Sequence, residues 1–455
     1  MKRITLMLVM FLVTLGASGQ QRSMMRGGEE DQRPSILFFE AVNLFSGGSS
    51  LSRLDLHYRI DQSFFIAVRN QDPSPQSEFI CRGEVLIELL DSLEVSRARS
   101  IQQVEAASEH SDRELPGKKW YRNIASFELP PGQYKIVFEI NDLESERRFV
   151  EDKSTVRLKR FAGTSSEMST PLFVTWQGDN SDAHVLDPIG FGPNLLFGKK
   201  AALFIEVPSG GNINSAPRVE YTVASTSLLD HSTSPVVAET LSHVASFPHV
   251  QLAPERHGDE SVYEVSSNDS SRAVGLLIPL ASEKLPLRRF ELAVTIHLGQ
   301  HEYKTTKSFH MVWPDMPFSL RDIDYAINAL KYITTDDQRD SLRTGNLEER
   351  RDNLEAFWKR KDPTPATAYN EMMVEYYRRV DHASRTFGTL HDPDGFKSDR
   401  GRTYILYGPP TSTDRNLDPV AGYQEVWTYE NLGKKFIFAD QTKTGNYVLI
   451  SSQSL

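Results

Sequence analysis

The chain has 455 residues, of which 39% are hydrophobic and 25% are charged, and its formal net charge is −10. This length exceeds one ordinary domain and suits about three, and the composition is that of a folded globular protein rather than a disordered one. The negative charge argues against binding to nucleic acid or to an anionic membrane, because both repel an acidic surface.

Residues 1–19 have the pattern of a signal peptide, which is removed on export. Lys2 and Arg3 give the positive start, an apolar run extends from Ile4 to Leu15, and Ala17-Ser18-Gly19 offers small residues for cleavage before Gln20. An uncleaved anchor is the weaker alternative, since a span needs ~20 apolar residues. Residues 20–35 are polar and predict a flexible lead-in. We expect an exported protein, periplasmic or secreted, with no transmembrane span in the mature chain.

Residues 36–160 predict an immunoglobulin-like β-sandwich. The run LSRLDLHYRI alternates between an apolar face with Leu54 and Tyr58 and a polar face with Asp55 and His57. Similar runs follow, and Pro-Pro-Gly in LPPGQYKI separates two of them, as in the hairpins of sandwich folds.

Cys81 is the only cysteine, so no disulfide can form within the chain. It lies in the strand-like run FICRGEVLIELL, where a small buried core residue is expected. The alternative is a catalytic thiol, but no neighbour in sequence would lower its pKa.

Residues 161–184 contain many Ser, Thr and Gly residues and predict a linker. Residues 185–312 then return to the strand pattern, with runs such as KAALFIEV and FELAVTIHLG, and predict a second immunoglobulin-like sandwich. The two blocks show no residue-level repeat.

Residues 318–455 predict an α+β domain, helices first and a small antiparallel sheet last. Ser319 is a plausible N-cap for the first helix, LEERRDNLEAFWKRK predicts the second, and the third runs from about Thr367 to Phe387. The strands are TYILYG, YQEVWTYE, KKFIFAD and NYVLISS. The predicted fold is therefore multidomain and mainly β.

The segment GFKSDRGRTYILYG, from Gly395 to Gly408, combines a tight charged loop with a predicted strand. It resembles the motif of the GWxTD-domain proteins, a bacterial family, with Phe396 in the Trp place and Ser398 in the Thr place. FWKRKDPTPATAYNEMMVEYYRRVDHASRTF, YQEVWTYE and KKFIFAD extend the resemblance, and LSRLDLHYRI does so more weakly. The resemblance implies an exported protein, and it implies no reaction, because the family has no established activity. Phe396 lacks the indole N–H that the usual Trp would supply.

Motifs for catalysis or metal binding have little support. No G-x-S-x-G elbow occurs, so a nucleophile would have to be Ser398, with His382 or His391 brought near by folding. The segment HDPDGFKSD, ending at Asp399, holds three carboxylates that could bind Ca²⁺ weakly, but it lacks the order of a calcium loop and equally suits a turn. Zinc motifs and phosphate-binding loops are absent from the sequence. We expect no catalytic residue, no metal and no cofactor.

The aromatic residues of the terminal strands are the best candidates for a binding surface. They either pack beneath the helices or form a platform for a sugar or peptide, with charged residues at its rim. The residues predicted to bind are Phe396, Ser398, Asp399, Arg400, Arg402, Tyr404, Tyr407 and Trp427, and those predicted to shape the loop are Gly395, Gly401 and Gly408. We expect Asp399 to bond backbone N–H groups and Arg400 to be exposed.

The sequence thus favours an exported, non-catalytic scaffold or binding protein of the bacterial cell envelope, with the C-terminal domain as the interaction module. Its partner would be an envelope protein or polysaccharide. The alternative is a hydrolase of an envelope polymer with its site near the SDRGR loop. A hydrolase needs an acid or nucleophile within hydrogen-bond reach of a partner, whereas a binding module needs only an exposed patch.

Overall fold

The computed structural model describes residues 36–46, 50–71, 78–108, 119–161, 167–177, 185–208, 216–226, 233–257, 260–389, 393–418 and 422–455. The predicted signal peptide and lead-in lie outside these residues. The chain forms two compact units. The N-terminal unit ends at Val312 and omits Glu283–Pro286, and the C-terminal unit consists of Glu283–Pro286 and Trp313–Leu455.

The first eight strands are antiparallel and build two sheets. They are β1 (Leu37–Leu44), β2 (Ser52–Asp61), β3 (Ala67–Arg69), β4 (Phe79–Leu90), β5 (Ser96–Ser108), β6 (Trp120–Leu129), β7 (Gly132–Asp142) and β8 (Arg148–Leu158). One sheet has the order β1-β2-β6, and the other has the order β3-β4-β7-β8 with β5 also paired to β4. Leu54, Tyr58, Cys81 and Phe138 belong to their shared core, so Cys81 is the buried core residue that was predicted. The immunoglobulin-like detail stays a prediction.

Twelve further strands complete the N-terminal unit. They are β9 (Leu172–Gln177), β10 (Val185–Pro188), β11 (Leu195–Leu196), β12 (Ala201–Pro208), β13 (Arg218–Thr226), β14 (Thr233–Leu241), β15 (Ala245–Pro248), β16 (Val250–His257), β17 (Glu260–Ser267), β18 (Ala273–Leu280), β19 (Arg289–Leu298) and β20 (His301–Val312). They form a seven-stranded sheet, β15-β18-β12-β9-β10-β17-β16, and a five-stranded sheet, β11-β20-β19-β13-β14.

Strand β9 lies within the segment predicted as a linker. Its residues LFVTWQ pair with β10 on one side and with β12 on the other, and Leu172, Phe173 and Val174 are almost fully buried. The Ser- and Thr-rich flanks suggested a linker, but a short apolar run in the centre of a sheet gains enough burial to form a strand.

The polar face of β2 is buried, although its alternation suggested that it faces solvent. Asp55 and His57 are 0% and 2% exposed, and the Tyr263 hydroxyl of β17 donates a hydrogen bond to Asp55. Val42 and Leu44 of β1 pack in one core with residues of the seven-stranded sheet. The three-stranded sheet therefore has a covered surface on both faces, one apolar and one of mixed polarity.

The described residues of the C-terminal unit form five α-helices and a four-stranded antiparallel sheet. These are α1 (Ile323–Ala329), α2 (Asp336–Leu342), α3 (Leu347–Lys359), α4 (Glu371–Phe387), α5 (Asp399–Tyr407), β21 (Ser412–Asp418), β22 (Gly422–Tyr429), β23 (Lys434–Asp440) and β24 (Val448–Ser454). The sheet order is β21-β22-β23-β24. The N-cap of α1 is Asp322 rather than the predicted Ser319, because the Asp322 carboxylate accepts two N–H groups of the first turn. Among the described residues, no helix is long and apolar enough to cross a membrane.

Residues 403–407 of the segment TYILYG lie in helix α5 and Gly408 caps its C-terminus, so the prediction of a strand here is wrong. Thr, Tyr and Ile favour strands, but Ser398 caps the helix and Asp399 places a negative charge in its first turn. Ile405 is 2% exposed and belongs to the core of the unit. Capping and burial therefore outweigh the intrinsic preference of these residues.

Candidate functional site

The stretch from Gly395 to Gly408 is a one-turn 3-10 helix followed by α5. The Ser398 hydroxyl accepts a hydrogen bond from the Gly401 N–H at 3.0 Å and donates one to the Gly395 carbonyl at 2.7 Å. It thereby satisfies an N–H that has no partner within the helix. Ser398 thus joins the turn to the helix through hydrogen bonds with backbone groups.

The glycines of this stretch allow close backbone contact at two positions and a left-handed conformation at a third. A Cβ on Gly401 would lie 2.2 Å from the Gly395 carbonyl oxygen, and one on Gly395 would lie 2.3 Å from that of Ala383. Gly408 ends α5 with a φ of 81°, which favours glycine. These positions fix the packing of the turn against α4.

Arg400 is only slightly accessible, so the expectation that it is exposed is wrong. Only 12% of its side chain is accessible, and its Nη1 donates to the Glu425 carboxylate at 3.0 Å. The guanidinium lies between two rings, 5.0 Å from the centroid of Phe387 and 4.1 Å from that of Tyr447. The burial follows from Glu425, a partner 25 residues away in sequence, which a local pattern does not reveal.

Asp399, Phe396 and Arg402, which were also predicted to bind, lie in three different environments. Asp399 accepts the Leu449 N–H at 2.8 Å and so ties α5 to β24. Phe396 is 1% exposed, and its ring meets Tyr325 edge-on at 5.2 Å, which makes the usual Trp position a core position here. Arg402 is exposed.

Tyr407 is the last residue of helix α5, and Trp427 lies on strand β22. Tyr407 is partly exposed and stacks on Phe436 at 5.3 Å. Trp427 is 2% exposed and packs against Phe387 and Phe438. The Trp427 ring therefore belongs to the core of the unit, whereas Tyr407 is an exposed ring outside that core.

A cleft of about 430 Å³ lies where α4, α5, β21 and β22 meet. This volume lies in the range of ligand sites. Its lining residues are His382, Thr386, Phe387, Tyr404, Pro410, Thr413, Arg415, Glu425 and Trp427. Of the residues predicted to bind, the cleft brings together Tyr404 and Trp427.

Glu425 is the carboxylate of this cleft, and it is already partnered. Its side chain is 4% exposed. One oxygen accepts from Arg400 and the other accepts the Trp427 indole N–H at 2.9 Å. Arg415 approaches the same carboxylate only to 3.6 Å, and its side chain is 66% exposed, so Arg400 is the principal counter-ion.

His382 forms one wall of the cleft. Its imidazole stacks on the Tyr404 ring with centroids 4.2 Å apart and an interplanar angle of 18°. Burial lowers the pKa of His382, and the nearby Arg385 lowers it further. The imidazole is therefore mostly neutral at neutral pH and offers a flat surface with one donor and one acceptor.

The cleft offers contacts for binding and little support for catalysis. Thr386 lies 3.5 Å from the His382 imidazole, beyond a good hydrogen-bond distance for a hydroxyl nucleophile. Among the described residues, no group of three or more His, Cys, Asp or Glu side chains is placed to hold a metal. His391, at the start of the possible calcium loop, lies outside the described residues.

A second cluster of titratable groups lies inside the N-terminal unit. The Tyr263 hydroxyl donates to Asp55 and lies 2.6 Å from His57 Nε2. Burial lowers the pKa of His57 to about 4, although Asp55 opposes this shift. All three side chains are almost fully buried, so this cluster has a structural role between the sheets rather than access to a ligand.

Sequence reasoning missed the charged part of the cleft. Arg415 stands in a segment with no motif, and the resemblance carried by YQEVWTYE gave Glu425 no role. Only their pairing across β21 and β22 places them together. Alternation along DRNLD and YQEVWTY puts Arg415 and Glu425 on the same face as Trp427, and this was the one signal available from sequence.

Comparisons with known proteins add a domain assignment. A family model described as the GWxTD domain matches residues 296–455, and no curated protein matches the chain significantly. Among solved structures, the C-terminal domain of the AgI/II polypeptide BspA of Streptococcus agalactiae is 11% identical over 60% of this chain and 100% of its own, with a TM-score of 0.16. A structure titled manganese lipoxygenase of Gaeumannomyces graminis and partial zonadhesin of Komagataella pastoris is 12% identical over 60% of this chain and 93% of its own, with a TM-score of 0.12. TM-scores this low establish no shared fold.

Proposed function

We propose that this chain, which carries a GWxTD domain at residues 296–455, is an exported, non-catalytic binding or scaffold protein of the bacterial cell envelope. The C-terminal unit is the interaction module, and the cleft lined by Tyr404, Arg415 and Trp427 receives the ligand. The export part of this proposal rests on the charged start and short apolar run of residues 1–19.

The observation that carries the binding role is the arrangement of charge in the cleft. The lining carboxylate, Glu425, is held by Arg400 and by the Trp427 indole. A glycosidase of the common type needs two carboxylates on either side of the bond to be cleaved, and the lining supplies one. The aromatic wall and the exposed Arg415 supply what recognition commonly uses, namely apolar surface and a charged anchor.

The test is capture from the cell envelope of the source organism by the immobilised protein starting at Gln20. Arg415→Ala removes an exposed cleft residue, and Arg402→Ala is the matched control, because Arg402 is also exposed but does not line the cleft. We expect the wild type and Arg402→Ala to retain the same envelope component and Arg415→Ala to lose most of it.

Equal capture by the wild type and Arg415→Ala would contradict a binding role for the cleft. Release of soluble fragments from the envelope polymer by the wild-type protein would instead favour the hydrolase.

A further inference from the structure

The strand that borders the cleft, β21, is an unpaired edge of the terminal sheet. Among the described strands it pairs only with β22, and the side chains from Ser412 to Asn416 are all exposed. An edge strand presents unpaired N–H and C=O groups that can pair with an added strand.

The opposite edge of the same sheet is partly occupied. The Leu449 N–H of β24 donates to the Asp399 carboxylate of α5 at 2.8 Å, so one backbone donor at that edge already has an acceptor. The cleft lies at the β21 edge, where Thr413 and Arg415 face it. A peptide that extends the sheet at β21 would therefore place alternate side chains toward the cleft.

The cleft has one surplus positive charge. Arg400 and Glu425 form a buried pair with the Nη1 to Oε2 distance at 3.0 Å, and together they are neutral. Arg415 lies 3.6 Å from Glu425, outside good hydrogen-bond geometry. Its guanidinium thus keeps donors for a ligand carboxylate, which guanidinium groups bind through paired hydrogen bonds.

The neighbouring charges do not cancel this surplus. Asp414 alternates to the other face of β21, opposite Val426. Arg379 is paired with Glu375 on α4. The Thr386 and Thr413 hydroxyls add neutral donors at the rim.

From this geometry we infer that the cleft binds an extended acidic peptide segment, which adds to the edge of β21 and sets an Asp or Glu carboxylate on Arg415. The apolar surface of the stacked His382 and Tyr404 rings takes the next side chain on the same face of that peptide. The inference rests on the proposed function, since it names the chemistry of the ligand for the same cleft.

The test uses matched synthetic heptapeptides of alternating Val and Thr with one central Glu, Gln or Lys, labelled for fluorescence anisotropy. We expect the Glu peptide to bind at least about 10-fold more tightly than the Gln peptide, the size of effect of one charged hydrogen-bonded contact. In Arg415→Glu the preference should reverse toward the Lys peptide, while Arg402→Glu should keep the preference of the wild type.

A Glu peptide methylated on alternate backbone nitrogens tests strand addition. It should lose most of its affinity if its N–H groups pair with β21. Any one of four results would overturn the inference. These are equal binding of the Glu and Gln peptides, no effect of Arg415→Glu on the preference, no effect of backbone methylation on affinity, and tighter binding of polygalacturonate than of the Glu peptide. If envelope capture still depends on Arg415 in any of those cases, the proposed function stands and only the peptide assignment fails.

Discussion

Arg400 shows how one buried cation organises the C-terminal unit. Its guanidinium contacts two aromatic rings, the Glu425 carboxylate and the Gly445 carbonyl at 3.2 Å, while its Nε is buried without an acceptor among the described residues. A buried carboxylate is tolerated only when it is paired and hydrogen-bonded. Arg400 therefore pairs with Glu425 at the floor of the cleft and leaves Arg415 available at the rim.

Arg400→Leu should destabilise the protein strongly, because it leaves Glu425 buried without its principal counter-ion. Breaking a buried pair from one side costs about 3–5 kcal/mol, whereas the control Arg402→Ala, at an exposed position of the same helix, should change the free energy of unfolding by less than about 0.5 kcal/mol. Equilibrium urea unfolding measures both values. If the two variants unfold at the same urea concentration, Glu425 does not depend on Arg400.

At the scale of elements, the junction between the one-turn helix and α5 is held by a few short contacts. Ser398 caps α5, Asp399 joins it to β24, and the absence of a side chain at Gly401 lets the turn lie against the helix. Since α5 contributes Tyr404 to the cleft, the position of this helix decides the shape of one wall.

Ser398→Ala should lower the free energy of unfolding by about 1 kcal/mol, the usual cost of losing a helix N-cap. Ser398→Thr keeps a hydroxyl at the cap and should stay within about 0.5 kcal/mol of the wild type. Thermal and urea unfolding of both variants provide the comparison. If Ser398→Thr lowers the free energy of unfolding as much as Ser398→Ala does, the 3.0 Å hydrogen bond from the Gly401 N–H to the Ser398 hydroxyl is not the source of the effect.

At the scale of the whole molecule, the N-terminal unit is joined by buried polar contacts as well as by apolar cores. The Lys307 ammonium on β20 donates to Glu40 on β1 and to the Pro171 carbonyl, and it lies 4.7 Å from the centroid of the Phe173 ring. Burial raises the pKa of Glu40, and Lys307 opposes that shift. These contacts link β1 to β20 through Glu40 and Lys307, which are 267 residues apart in sequence.

Lys307→Met should cost about 3–5 kcal/mol, because it leaves the Glu40 carboxylate buried without its ammonium partner. The double variant Lys307→Met/Glu40→Met should lie much closer to the wild type, since replacing both members of a buried pair with apolar groups is often nearly neutral. A double-mutant cycle in urea measures this coupling. Simple addition of the two single effects would show that the pair contributes no interaction energy.

Local patterns predicted the features that depend on neighbouring residues. The period of two along residues 36–160 and 185–312 predicted a mainly β region. The period of 3.6 predicted the helices Leu347–Lys359 and Glu371–Phe387 within a few residues of their ends. Cys81 was predicted as a small core residue because it lies in the strand-like run FICRGEVLIELL, and it is buried. The motif around Ser398 pointed to the right domain but assigned a strand where α5 forms.

Tertiary contacts decided which polar and charged side chains are buried and which ones line the cleft. Whether the polar face of β2 meets water depended on the seven-stranded sheet, which covers Asp55 and His57. The burial of Arg400 and the position of Arg415 at the cleft depended on Glu425 in the next strand. The amino-acid sequence by itself determined which segments favour strands, helices or turns, because those preferences act over a few residues. Only the folded chain decided which charges are buried and which remain available, because pairing and desolvation depend on groups that are distant in sequence.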